Sequence, residues 1–256
     1  MIWGCTTACA LKISIFLSIV LLVTPISSSA EVIFKKINDK EASLKVTGHI
    51  SGDDVLPLKQ ALKTINNDHL RLLNDSVELD SKGGTVNGSM AVGRVIRAAH
   101  LSTLVKKDAI CDSACVYVLV AGVCRMADGE VGVHQVFYEE SHSRRVAEEI
   151  HLKEKAISLA YLNEMDAPRA IYELGDSTPS YNIRELMESE KEDFGLYDAI
   201  ASEQDFRASI AAKQRKVSKR SLMEELDHKF VKLNRNGKSD KLKHPSCSEQ
   251  LFIQYK

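Results

Sequence analysis

The chain has 256 residues, 44% of them hydrophobic and 27% charged, with a net charge of -1. That composition excludes a chain too polar to fold and supplies one sizeable core plus an appendage. The near-zero charge hides an asymmetry: from Arg207 onward 13 Lys and Arg stand against 5 Asp and Glu, so this tail carries +8 and the remainder -9.

Residues 1–30 hold a lone Lys12, an apolar run from Ile13 to Thr24, then Pro25 and the small residues Ser28, Ser29 and Ala30. This layout predicts a signal peptide cleaved after Ala30, and a mature chain that is periplasmic or secreted. The apolar run is shorter than the ~20 residues a spanning helix needs. Apolar residues before Lys12 keep an uncleaved membrane anchor as the alternative. Export leaves Cys111, Cys115, Cys124 and Cys247 in an oxidising compartment, with three pairings open. A bridge from Cys111 or Cys115 to Cys124 would pin a helix start against the next strand; the competing reading is four small buried residues. The Cys-x-x-x-Cys spacing lacks a matching Cys/His pair elsewhere, which disfavours zinc.

Glu31 to Ile37 and Ala42 to Gly48 alternate apolar and polar residues around Asn38-Asp39, predicting a hairpin. Asp53-Asp54 caps a helical pattern through Leu56, Leu58, Leu62 and Ile65. Asp75 to Ser81 predicts a strand running into Lys82-Gly83-Gly84, followed by a helix carrying Met90, Val92, Val95, Ile96 and Ala99. Ser102 to Val105 is a short strand. The run from Ile110 to Gly122 then predicts a buried helix with Ser113 in its first turn, where main-chain N–H groups face outward. Taken in isolation, Ser113 reads as an N-cap. Val131 to Val136 is a strand containing His134. Ser143 to Met165 is a long amphipathic helix, and a second helix covers Ala167 to Leu174. Strands alternating with helices predict an α/β domain with a largely parallel sheet over residues 31–203. Residues 204–256 form a basic extension, partly helical or flexible.

Gly83-Gly84 lies between a strand and a helix, where main-chain N–H groups can turn toward a ligand. Ser113 follows Gly84 by 29 residues, and His134 follows Ser113 by 21. With Leu79-Asp80-Ser81-Lys82-Gly83-Gly84, Ser113-Ala114-Cys115 opening an apolar run to Ala121-Gly122, Gly132-Val133-His134-Gln135, and Phe194-Gly195-Leu196-Tyr197-Asp198 in that order, the chain resembles the Clp protease proteolytic subunit and its relatives in the ClpP/crotonase superfamily. The resemblance covers Val77 to Ile200 and implies a spiral of βαβ units. It implies Ser113 as nucleophile and His134 as general base, with Gly83, Gly84 and Ala114 forming the oxyanion hole. The family's orienting Asp falls in register with Pro179 to Asn182, where this chain has no carboxylate; Asp176 and Asn182 are the candidates. Lys82 stands where the family has proline. Glu139, Glu140, His142, Arg144 and Arg145 read as a solvated loop and helix start, with His142 an alternative base.

The activity implied is that of an exported serine peptidase acting on peptides or unfolded protein without a cofactor. The missing acid and Lys82 motivate the alternative, a degenerate module that binds peptide or protein without cleaving it. An acyl-CoA enzyme is disfavoured by export, and a Ser-Lys peptidase by the lack of a placeable lysine. No phosphate-binding motif is present, and nucleic acid is not an expected partner. The basic tail suits contact with an acidic membrane surface. Ring assembly of cytoplasmic relatives leaves the choice between monomer and homo-oligomer open.

Overall fold

The computed structural model describes residues 31–137, 143–197 and 199–200. The proposed signal peptide, the basic extension, Cys247, His142, Glu139, Glu140 and Asp198 lie outside the described residues. Strands β1 (Glu31–Lys36) and β2 (Glu41–Thr47) form the expected hairpin, registered antiparallel from Glu31 opposite Thr47 to Lys36 opposite Ala42. Alternation decides which face of β2 is buried: Ala42, Leu44 and Val46 point inward and are fully covered, as a period of two requires.

A short 3-10 turn, Gly52–Asp54, leads into α1 (Val55–Asn67). Its entry is a capping box, in which the Ser51 hydroxyl accepts from the Asp53 N–H at 3.2 Å and the Asp54 carboxylate accepts from the Ser51 N–H at 2.7 Å. Those bonds satisfy main-chain donors that a helix start leaves unpaired. The chain continues through β3 (Arg71–Leu72), β4 (Ser76–Asp80), α2 (Val86–Ala98), β5 (Ser102–Val105), β6 (Ile110–Asp112), α3 (Cys115–Leu119), β7 (Cys124–Ala127) and β8 (Glu130–Val133). The remaining described elements are α4 (Arg144–Glu164), α5 (Ala170–Asp176), β9 (Arg184–Glu185), α6 (Glu188–Asp193) and β10 (Ala199–Ile200).

Two sheets result. The larger runs β1-β2-β4-β5-β7-β10, with β3 paired to β2. Its β2-β4, β4-β5 and β5-β7 pairs are parallel, while the outer pairs β1-β2 and β7-β10 are antiparallel. The smaller sheet is β6-β8-β9, parallel between β6 and β8 and antiparallel between β8 and β9. All four residues of the central strand β5 are buried, the mark of a strand covered on both faces. The core joins Leu44, Val46, Leu79, Met90, Val92, Ile96, Val118, Leu119 and Leu162, all at most 1% exposed. Each such aliphatic side chain contributes ~1.5–3 kcal/mol by leaving water. A mixed α/β fold with mostly parallel strands is therefore what the sequence pattern led one to expect.

The expectation fails at Ile110 to Gly122. That run is three residues of strand, a turn at Ser113 and Ala114, and a five-residue helix. Ile110 to Asp112 pairs with Glu130 to Gly132, and tertiary pairing overrides the helical reading of a continuous apolar stretch. Among the described residues no helix is long and apolar enough to cross a membrane.

Candidate functional site

Register brings the two central residues together. Cys111 lies opposite Val131 and Asp112 opposite Gly132 in the parallel β6-β8 pair. The next residue of each strand line is Ser113 on one side and Val133 on the other, so His134 emerges beside the Ser113 turn. Both line one cavity of about 520 Å³, together with Gly84, Ala114, Gln135 and Asp176. Ser113 takes the left-handed conformation, φ 56°, uncommon for a residue with a side chain. Its N–H donates to the Gly132 carbonyl at 2.8 Å, and its own carbonyl accepts the Val116 N–H at 3.1 Å to start α3. The hydroxyl is left without a hydrogen bond among the described residues.

The glycine turn packs directly on this elbow. Gly83 has φ +101°, and a Cβ there would come within 2.8 Å of the Ser113 Cβ and 3.0 Å of the Ala114 nitrogen. A Cβ on Gly84 would collide with the Ile50 main chain, 2.0 Å from its carbonyl oxygen. Side chains are excluded at both positions for these separate reasons. Their N–H groups also differ. That of Gly83 donates to the Ser81 hydroxyl at 3.0 Å, whereas those of Gly84 and Ala114 make no hydrogen bond among the described residues. Gly84 and Ala114 line the cavity; Gly83 supports the turn from behind. Of the three residues that the resemblance made an oxyanion hole, Gly83 is thus the one whose donor is already engaged.

His134 is half-buried, and its Nδ1 lies 2.7 Å from the Gln135 carbonyl oxygen. A carbonyl only accepts, so Nδ1 carries the hydrogen, and in the neutral ring Nε2 is the nitrogen that holds the lone pair. The Gln135 N–H in turn donates to the Thr178 carbonyl at 2.8 Å. The segment after α5 therefore braces the histidine loop through main chain, near where the resemblance placed a carboxylate. Asp176 does reach the cavity, but as the partner of His151 (Nε2 to Oδ1, 3.5 Å) and acceptor of the Tyr172 hydroxyl at 3.4 Å. Asn182 is exposed, does not line the cavity, and uses its N–H on the Pro179 carbonyl at 2.9 Å; the short turn after α5 carries it away from the imidazole.

Of the three cysteine pairings left open, the structure has the one that excludes a bridge from Cys111 or Cys115 to Cys124. Cys111 and Cys115 are bonded to each other, with Cα atoms 5.2 Å apart, so neither bridges to Cys124. The Ser113 elbow folds the end of β6 back over the start of α3 and brings the two within bridging range. Cys124 is disulfide-bonded as well, and its partner lies outside the described residues.

The cavity lining that went unremarked in the sequence includes four titratable side chains: His49, His151, Glu154 and Tyr172. His151 and Glu154 sit three apart on α4, a spacing that puts both on one helix face. Asp112, half-buried beside Ser113, has its pKa pushed up chiefly by burial, then by Glu130 and Glu185, against the opposing pull of His134 and Lys82.

No protein-family model matches the chain, and no curated protein matches it in sequence. Among solved structures it is similar to the 1510-N membrane-bound stomatin-specific protease. A serine-to-alanine mutant of that protein is 12% identical, covering 64% of this chain and 81% of the other, with a TM-score of 0.42. A lysine-to-alanine mutant in complex with a substrate peptide is 11% identical, covering 64% and 77%, with a TM-score of 0.43. At that level of similarity the functional reading rests on the residues of this chain alone.

Proposed function

We propose that this chain is an exported, ClpP-like serine peptidase that cleaves peptides or unfolded protein by nucleophilic acyl transfer. The observation that carries the reading is the left-handed Ser113 elbow, seated against the Gly83-Gly84 turn with the unpaired N–H groups of Gly84 and Ala114 on the same cavity. Ser113 Oγ attacks the scissile carbonyl. His134 Nε2 takes the hydroxyl proton and returns it to the leaving amine. The negative oxygen of the tetrahedral intermediate is met by the Gly84 and Ala114 N–H groups; one such donor is worth ~2.7–4 kcal/mol in the transition state.

The Gln135 carbonyl does part of the work of the family's acid. It holds the tautomer with Nε2 free, the property whose loss costs ~10⁴ in turnover when an amide replaces the acid in a serine triad. It does not bring a negative charge to stabilise the imidazolium, so turnover slower than that of a full triad follows. Export is supported by the disulfides at Cys111, Cys115 and Cys124, since such bonds persist in oxidising compartments. A basic extension resting on an acidic membrane surface fits the same setting.

Treating the purified full chain with a fluorophosphonate probe tests the assignment. The wild type should be labelled, and Ser113→Ala should not; a wild type that never labels, or a variant that labels equally, refutes the nucleophile. The uncharged partner of His134 favours the second reading, a module that binds peptides without cutting them. Peptide turnover that disappears with Ser113→Ala excludes it.

A further inference from the structure

The bond between Cys111 and Cys115 closes a ring whose central residue is Ser113. Three attachments hold this elbow. At its entry Cys111 lies opposite Val131 and bridges to Ser81; at its centre the Ser113 N–H is bound to the Gly132 carbonyl; at its exit Cys115 is the first residue of α3. Both cysteines are fully buried. Neither sulfur lines the cavity, so the bridge reaches any substrate only through Ser113 and Ala114.

A serine does not favour positive φ, because its Cβ then crowds the following carbonyl. Left free, a strand-to-helix turn would relax toward negative φ, swinging the hydroxyl and the Ala114 N–H away from their shared cavity. With the ends tied 5.2 Å apart, the ring limits how far the turn can open. We propose that the Cys111–Cys115 disulfide is a positioning device that holds Ser113 in its reactive conformation and makes activity depend on the oxidised state. The proposal rests on Ser113 being the nucleophile. Reduction adds two electrons and two protons to the bridge, giving two thiols; a dithiol such as dithiothreitol supplies them and closes to its own cyclic disulfide.

The test compares wild type with a Cys111→Ala/Cys115→Ala double variant of the full chain, by rate of fluorophosphonate labelling and by kcat and KM on a peptide. Misplacing a reacting group by about an ångström costs on the order of 10²-fold, so labelling and kcat should fall roughly tenfold or more while KM stays close to wild type and unfolding, though easier, stays cooperative. A general loosening of the fold would move KM as well. A folded double variant that labels as fast as wild type overturns the proposal while leaving the nucleophile standing; a wild type that is never labelled overturns both. If the double variant does not fold, wild type is titrated with dithiothreitol and the free thiols are located by alkylation and mass spectrometry. Labelling should then track the fraction with Cys111 and Cys115 paired and return on reoxidation. Labelling indifferent to that pair refutes the device.

Discussion

Asp112 precedes Ser113 in sequence, and its carboxylate lies among acids on the strands beside it. Burial, Glu130 and Glu185 push its pKa up, so between the ordinary carboxylate value and the raised one the folded chain binds more protons than the unfolded chain. Stability then falls as pH rises through that window, and the penalty persists at neutral pH. Asparagine has the same shape without the charge. Asp112→Asn should therefore melt at a higher temperature than wild type near neutrality, with the difference vanishing in acid below the usual carboxylate range. A variant that melts lower at neutral pH would mean that the charge is held favourably. At this scale the sequence was informative about side chains and silent about main chain. Ser113, His134 and the glycine pair could be named from motif order. The group holding His134 could not, because a main-chain carbonyl is present at every residue and only the path of the chain after β8 brings that of Gln135 to Nδ1.

Helix α4 is tied to α3 through two tyrosine hydroxyls: that of Tyr117 donates to the buried Ser158 hydroxyl at 3.0 Å, and that of Tyr161 reaches back to α3. Tyr161 is fully covered; its hydroxyl donates to the Tyr117 carbonyl on α3 at 2.8 Å, its ring meets that of Tyr117 edge-on at 5.8 Å, and the Arg94 guanidinium lies 5.0 Å above it. Tyr161→Phe keeps the packing and removes the hydrogen bond, so it should lower stability by about 1–3 kcal/mol in urea unfolding. Labelling of Ser113 should change little, because the elbow has its own anchors. Elements with clear periodicity were legible: the hairpin, α1, α2 and α4 fall within a few residues of their expected bounds. Two short strands were legible as well, β4 and β5, but β6 was not. Strand β6 is continuous with an apolar run, and nothing local separates a three-residue strand from a helix start; only its pairing with β8 decides. The cysteine pairing follows from that same misread turn, since a helix over 110–122 would have placed Cys111 and Cys115 one turn apart rather than on either side of an elbow.

Across the whole molecule, the two sheets join where the candidate site is built, and Ser81 is the junction. Its N–H donates to the Ile110 carbonyl at 2.8 Å and its carbonyl accepts the Asp112 N–H at 3.0 Å, linking the end of β4 to β6. Its buried hydroxyl donates to the Gly48 carbonyl and accepts the Gly83 N–H at 3.0 Å. One residue therefore ties the larger sheet, the glycine turn and the strand leading to Ser113, its side chain serving the turn and its main chain the strand. Ser81→Ala keeps the main-chain links but strands the Gly48 carbonyl and the Gly83 N–H in the interior. At ~1–3 kcal/mol for each of the two unpaired groups, unfolding should be easier by about 2–6 kcal/mol. The freed Gly83 N–H must then find another acceptor, which shifts the turn against which Ser113 and Ala114 are packed, so fluorophosphonate labelling should slow as well. Tyr161→Phe supplies the contrast, because it weakens the fold at comparable cost without touching the turn. If both variants lose stability and only Ser81→Ala loses labelling, the junction between the sheets is what sets the site. Equal labelling in the two would place the site's geometry in the elbow alone.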